Sequence, residues 1–329
     1  MHKARFVFLP ILLTVVLFSE VWAQQPVERQ RPEPSSLRIS TQLVSLPVTV
    51  QDQAGRYVPD LTKNDFAVFE DGIKQQIEHF ALHEEPISVV LLLDMSGSTR
   101  DLLKQIQAAA LTFVEQLGDQ DRVIPIVFDN EVKPLLTDWT ADRALLAKAL
   151  ENVHTGANWI RLSPPNAKPG ERVTYLLNTR LYDAVMTGVD LLKQVQGRKA
   201  LILLTDGLDT ASRTPKKDTI RAVEELNTLV YTIHFTQAKK HELKFTWGKA
   251  YLEWLIEKAG GRYFAAQDLV GKVDDAFRQI AEELSRQYSL GYYPTSGKAG
   301  KRRIQVQLNH PTAKFQVRTR KTYFLVELK

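Results

Sequence analysis

Asp94, Ser96 and Ser98 occupy alternate positions in Asp94-Met95-Ser96-Gly97-Ser98, directly after an apolar run over residues 87–93. A run of that kind reads as a strand buried on both faces. The three oxygens then lie beyond the carboxyl edge of a sheet, where α/β proteins bind ligands. In an extended turn, alternate spacing can bring three side chains to one point, and hard oxygens around one point suit Mg2+ or Mn2+, with Ca2+ as a further choice. One carboxylate supplies too little charge for a divalent ion. A second follows the next strand of this type, where residues 200–204 run into Thr205-Asp206-Gly207. Between the two, Thr179 opens the helical pattern Thr179-Arg180-Leu181-Tyr182-Asp183-Ala184-Val185, with a hydroxyl placed to serve as both helix cap and metal ligand. Asp-x-Ser-x-Ser by itself is also how ordinary helix caps follow strands. The metal reading rests on three separate pieces, each in the matching strand or helix setting.

In order and context, Asp94, Ser96, Ser98, Thr179 and Asp206 resemble the metal-ion-dependent adhesion site of von Willebrand factor type A domains, over roughly residues 85–286. The resemblance implies a domain that binds proteins through a divalent cation. In it, Ser96, Ser98 and Thr179 supply neutral oxygens while Asp94 and Asp206 act directly or through water. Two carboxylates just balance the ion, so it stays electrophilic and takes an Asp or Glu carboxylate from a protein partner. Asn178 departs from the pattern, since many relatives have Gly there. The flanks Thr41-Gln42-Leu43-Val44 and Asp65-Phe66-Ala67-Val68-Phe69-Glu70-Asp71-Gly72, with Tyr288-Ser289-Leu290-Gly291-Tyr292-Tyr293-Pro294, are similar to a secreted bacterial, acidobacterial-type group of VWFA-related proteins.

The elements that must position these residues alternate between strand and helix. Strands are expected at 89–93, 122–128, 200–204, 229–235 and 262–265, and helices at 100–117, 141–153, 179–195, 219–226, 251–259 and 273–286, with an antiparallel edge at 131–136. That rhythm predicts an α/β fold, a doubly wound and mostly parallel Rossmann-like sheet. Before residue 83 and after 287 the pattern alternates by two, as in Val44-Ser45-Leu46-Pro47-Val48 and Arg303-Ile304-Gln305-Val306-Gln307-Leu308. Neither set is large enough for a sandwich alone, so the two are expected to pair into one small β-sandwich-like domain with the α/β domain inserted. The expected division is a signal peptide over 1–23, a flexible leader over 24–36, β-domain parts at 37–84 and 287–329, and the von Willebrand factor A-like domain at 85–286.

His2, Lys3 and Arg5, the apolar stretch 6–18 and Val21-Trp22-Ala23 read as a secretory signal cleaved before Gln24. An exported protein is therefore expected, periplasmic or extracellular, with no transmembrane segment once the signal is removed. The absence of Cys excludes disulfides, thiol catalysis and sulfur-bound zinc. The net charge of +5 is spread through both signs and is no nucleic-acid footprint. Two irregular stretches, 154–178 and 236–248, are expected to form a partner-binding rim through Trp159, Arg161, Arg172, Lys239, Lys240 and Trp247. Asp209 either joins the outer shell of the metal or, the favoured reading, caps the next turn. No catalytic residue is expected. A phosphatase of the haloacid dehalogenase type would need Asp-x-Asp where Ser96 stands, and no His is tied by motif to Ser96 or Ser98. A metal-dependent hydrolase and a metal-stabilised envelope scaffold are the alternatives.

Overall fold

The computed structural model describes residues 43–82, 86–96, 99, 102–153, 161–162, 174–175, 178–226, 228–236, 242–267, 271–309 and 314–325. The signal and leader expected at the N-terminus lie outside them. All described residues fall in one compact unit, Arg38–Lys329.

Four short strands come first: β1 (Val44–Gln51), β2 (Phe66–Glu70), β3 (Ile73–Gln75) and β4 (His79–Leu82). The α/β part follows with β5 (Ile87–Asp94), α1 (Leu103–Gln116), β6 (Arg122–Phe128), β7 (Val132–Pro134), α2 (Arg143–Glu151), the two-residue strands β8 (Arg161–Leu162) and β9 (Thr174–Tyr175), α3 (Leu181–Lys193), β10 (Arg198–Thr205), α4 (Lys216–Leu226), β11 (Leu229–Thr236), α5 (Glu242–Ala259), β12 (Gly261–Gln267) and α6 (Lys272–Ser285). The chain ends in β13 (Tyr288–Tyr292), β14 (Gly300–Leu308), β15 (Gln316–Arg318) and β16 (Thr322–Leu325).

The central sheet runs β12-β11-β10-β5-β6-β7, parallel except for the β6–β7 pair. Every residue of β5 is buried because both faces are covered, which is why its sequence does not alternate. Ile87, Val89, Leu91 and Leu93 pack with α1, α2 and α6, whereas Val90 and Leu92 pack with α3, α4 and α5. On α1 the buried residues Ile106, Ala109, Ala110, Phe113 and Val114 form one helical stripe, and the Phe113 ring lies 5.2 Å from that of Phe277 on α6. Chain order reverses between β5 and β10: β6 lies on one side of β5, while β10, β11 and β12 extend on the other. That reversal opens a crevice at the carboxyl ends of the two central strands.

The flanking strands mix the two ends of the chain. One antiparallel sheet is ordered β15-β1-β13-β4 and the other β16-β14-β2-β3. Their inner residues, Leu46 and Val48 from the N-terminal side with Tyr288, Leu290 and Tyr323 from the C-terminal side, share one apolar cluster. The α/β part is thus inserted into a sandwich-like pair of sheets, as the strand patterns predict.

A buried carboxylate ties the two parts together. Glu283 of α6, 1% exposed, accepts from Thr49 Oγ1 of β1 at 3.2 Å, Tyr231 Oη of β11 at 3.1 Å and Arg318 Nη2 of β15 at 3.0 Å. The Tyr231 hydroxyl in turn accepts from Gln287 Nε2 at 2.9 Å. The two Glu283 oxygens thus meet donors from three different strands, as burial demands.

Two expectations are corrected. The stretch 236–248 is not irregular throughout, because α5 starts at Glu242, nine residues before the expected helix start at 251. Thr179 is not the cap of α3 either. Helix α3 begins at Leu181 and shows no side-chain cap from its own N-cap residue; its first turn is capped from another loop.

Candidate metal centre

Asp94 closes β5 and Asp206 directly follows β10, so the two neighbouring central strands deliver one carboxylate each to the crevice. Asp94 is fully buried. Its Oδ1 accepts from the Ser96 N–H at 2.9 Å and its Oδ2 from the Thr205 hydroxyl at 2.7 Å, and the Ser96 side chain is a further donor. Burial, and then the nearby Asp206 charge, push the Asp94 carboxyl up to about 7, against these hydrogen bonds. Two carboxylates are therefore held close in a place that disfavours their joint ionisation, and a proton or a cation relieves the conflict.

Thr205 orders both strand ends. Its hydroxyl donates to Asp94 and accepts from the Gly207 N–H at 3.0 Å. Asp206 folds back on its own turn, Oδ1 accepting from Leu208 N–H at 3.0 Å. Its carbonyl oxygen lies 2.9 Å from Nε2 of His234, which stands beside Thr205 in the neighbouring β11. The Nδ1 atom of that ring is 2.5 Å from the Tyr263 hydroxyl of β12. A carbonyl can only accept, so Nε2 carries the hydrogen and Nδ1 accepts from the phenol. Burial lowers the His234 pKa to about 4 and keeps the ring neutral, while burial also raises Tyr263 to about 12.

Thr179, 5% exposed, stands two residues before α3 and is tied to the loop after Asp206. Its N–H donates to Thr210 Oγ1 at 2.9 Å, and its carbonyl accepts from Thr210 N–H at 2.9 Å and Ala211 N–H at 3.1 Å. The loop after Asp206 thus grips Thr179, two residues before α3. Asp209 Oδ2 accepts from Tyr182 N–H at 3.1 Å, and Ser212 Oγ from Asp183 N–H at 3.1 Å. These are the caps that α3 lacks locally. Asp209 also accepts from Ser212, so its capping role in the following turn holds alongside this one. Asp183 completes the latch: its carboxylate accepts from Thr214 N–H at 2.9 Å, Thr214 Oγ1 at 2.6 Å, Arg213 N–H at 3.1 Å and Arg180 Nε at 2.7 Å. Burial alone would raise its pKa, but these donors outweigh it and hold the carboxyl at about 2.

Of the five residues predicted from sequence, Asp94, Ser96 and Asp206 come together directly, and Thr179 joins through the loop that follows Asp206. Ser98 lies outside the described residues. Asn178 causes no backbone conflict, since Asp71 is the only non-glycine residue with positive φ among the described residues. Among those residues no three Asp, Glu or His side chains gather at one point, so a cation here would depend on two carboxylates and hydroxyl oxygens. In the expected rim, Trp159, Arg172, Lys239 and Lys240 lie outside the described residues. Arg161 is described only as backbone of β8, and Trp247, on α5, is 70% exposed. The roles of Thr205, His234 and Asp183 were missed. Their one sequence signal is a polar residue inside an apolar strand or helix pattern.

A doubly wound sheet with this crevice and these strand ends defines a von Willebrand factor type A fold. The sequence model for the von Willebrand factor type A domain matches residues 88–250, and the chain carries such a domain. Domains of this kind are often protein-binding or adhesion modules, usually without catalysis, and often hold a divalent cation. Similar solved structures include a von Willebrand factor type A protein from Catenulispora acidiphila, 12% identical with a TM-score of 0.48, covering 88% of this chain and 74% of that one. An aerotolerance-related membrane protein from Bacteroides fragilis is 15% identical with a TM-score of 0.42, over 60% of this chain and 98% of that one. The vWF domain of the type V pili tip protein Mfa5 from Porphyromonas gingivalis is 14% identical with a TM-score of 0.43, over 60% and 94%. No curated protein matches the chain in sequence.

Proposed function

We propose that the protein is an exported, periplasmic or extracellular binding module without catalytic activity. In this reading Asp94, Ser96, Ser98, Thr179 and Asp206 hold Mg2+ or Mn2+ and capture an Asp or Glu carboxylate of a protein partner. The observation that carries it is the pair Asp94 and Asp206, set on adjacent central strands with too much negative charge for a buried crevice. The donor set fits a hard divalent ion: two carboxylates, with the hydroxyls of the buried residues Ser96 and Thr179 as further oxygens. When bound, the cation supplies a Lewis-acidic centre that a partner's carboxylate can enter. The chain's own part is to hold the oxygens in place, Thr205 fixing Asp94 and the 209–214 loop fixing the start of α3. Trp247, exposed on α5 next to Gly248, is our candidate rim contact for the partner.

The test uses the full chain stripped with chelator. Mg2+ or Mn2+ at about one hundred times the dissociation constant should stabilise it by about 2.7 kcal/mol, and Asp206→Ala should abolish that gain. An immobilised Asp- and Glu-rich peptide should retain the protein with Mg2+ and release it with EDTA, whereas its Asn and Gln counterpart should not retain it. A stabilisation that survives Asp206→Ala places the metal elsewhere; none from either ion rejects the reading.

A further inference from the structure

The Asp206–Gly207 peptide is held from two sides by residues that the metal reading leaves without a role. On one side is His234, 1% exposed in β11, donating from Nε2 to the Asp206 carbonyl at 2.9 Å while Tyr263 of β12 holds Nδ1. On the other side is the backbone of α5. A Cβ on Gly248 would stand 2.4 Å from the Asp206 carbonyl oxygen and 3.0 Å from Gly207 C, and a Cβ on Gly207 would stand 2.7 Å from Gly248. Real Cβ atoms do not approach backbone so closely, so helix and loop meet only because both residues are glycine. Gly207 also has φ +77, which favours glycine again. A glycine inside a helix is less favourable than alanine, so Gly248 weakens α5 in exchange for this contact.

We propose that His234 and Gly248 are positioning residues for Asp206. His234 clamps the peptide carbonyl by a hydrogen bond whose tautomer Tyr263 sets, and Gly248 makes room for the loop against α5. Together they keep the Asp206 carboxylate beside Asp94. For its metal readout the inference rests on the proposed cation site; its backbone readout is independent of any metal.

The experiment compares the full chain with His234→Leu, His234→Gln, Tyr263→Phe and Gly248→Ala, using amide hydrogen exchange without metal and Mg2+ titration. Leucine removes the donor, whereas glutamine can still present an N–H to the carbonyl. In metal-free protein, the Gly207 and Leu208 amides should exchange faster in His234→Leu and Gly248→Ala than in wild type, with His234→Gln close to wild type. Partners that orient a ligand are worth about ten- to a hundredfold in metal affinity, so Mg2+ should bind weaker by that factor in His234→Leu and recover in His234→Gln. Tyr263→Phe should show the same changes, smaller. If His234→Leu fails to fold, Tyr263→Phe and Gly248→Ala decide. Unchanged Gly207 and Leu208 exchange in the folded variants overturns the inference, as does equal damage from leucine and glutamine. If wild type ignores Mg2+ while exchange changes as expected, the positioning stands and the cation reading falls.

Discussion

Replacing Arg318 with Met tests the bolt between the sandwich strands and the α/β part. Glu283 is 1% exposed and takes three hydrogen bonds, but only Arg318, at 3.0 Å, brings a positive charge with one. Arg262 contributes a further favourable field. Removing one partner of a buried pair costs about 3–5 kcal/mol because the other charge stays behind. The Arg318 side chain is 31% exposed and Arg262 remains, so solvent screening brings the expected cost below that range, to about 2–3 kcal/mol at pH 7.5. The deficit should depend on pH. Burial raises the Glu283 pKa above its unfolded value, with Arg318 opposing, and losing Arg318 raises it further. A folded state that binds protons more readily than the unfolded one gains stability on acidification and loses it as pH rises through the folded pKa. The gap between Arg318→Met and wild type should therefore narrow as pH falls towards the ordinary carboxylate range. Glu283→Gln placed in the Arg318→Met chain should recover most of the loss. Urea unfolding of the full chain between pH 4.5 and 8, with the slope checked for constancy, measures all of this. A loss below about 1 kcal/mol that does not vary with pH would refute the argument that Glu283 relies on Arg318 for its charge.

Asp183→Asn should cost about 2 kcal/mol at pH 7, because the native carboxyl sits at about 2 against an ordinary 3.8. A depressed pKa contributes stability above the unfolded value and loses it as pH falls through the folded one, so wild type should weaken between pH 4 and 2 and the variant should lose that slope. Trp247→Ala should leave urea stability within about 0.5 kcal/mol, since the side chain is 70% exposed, yet weaken binding of the acidic peptide by about 1–3 kcal/mol. Unchanged peptide affinity would remove Trp247 from the binding surface.

The central strands and their carboxylates are legible in the sequence because their signals are local. An apolar run such as residues 87–93 can be satisfied only by covering both faces, and the polar residues that end it must then emerge at the sheet edge. Hence Asp94 and Asp206 can be paired across more than a hundred residues of chain. The amphipathic stripe of α1 and the alternation of β1 and β14 are local in the same way. What tertiary structure alone decided are interactions whose two halves carry no mutual mark in the chain. The start of α5 at Glu242 and the purpose of Gly248 are not legible, because what Gly248 packs against is the backbone of Asp206 and Gly207, about forty residues earlier. Thr179 looks like a helix cap, but the donors of α3 are met by Asp209 and Ser212 from a loop that sheet topology folds over it. In the sequence, nothing beyond a polar type inside a strand or helix pattern marks His234 or Glu283. Only packing makes one the clamp on Asp206 and the other the bolt to β1 and β15, because burial forces each polar atom to find whichever partner the fold brings near.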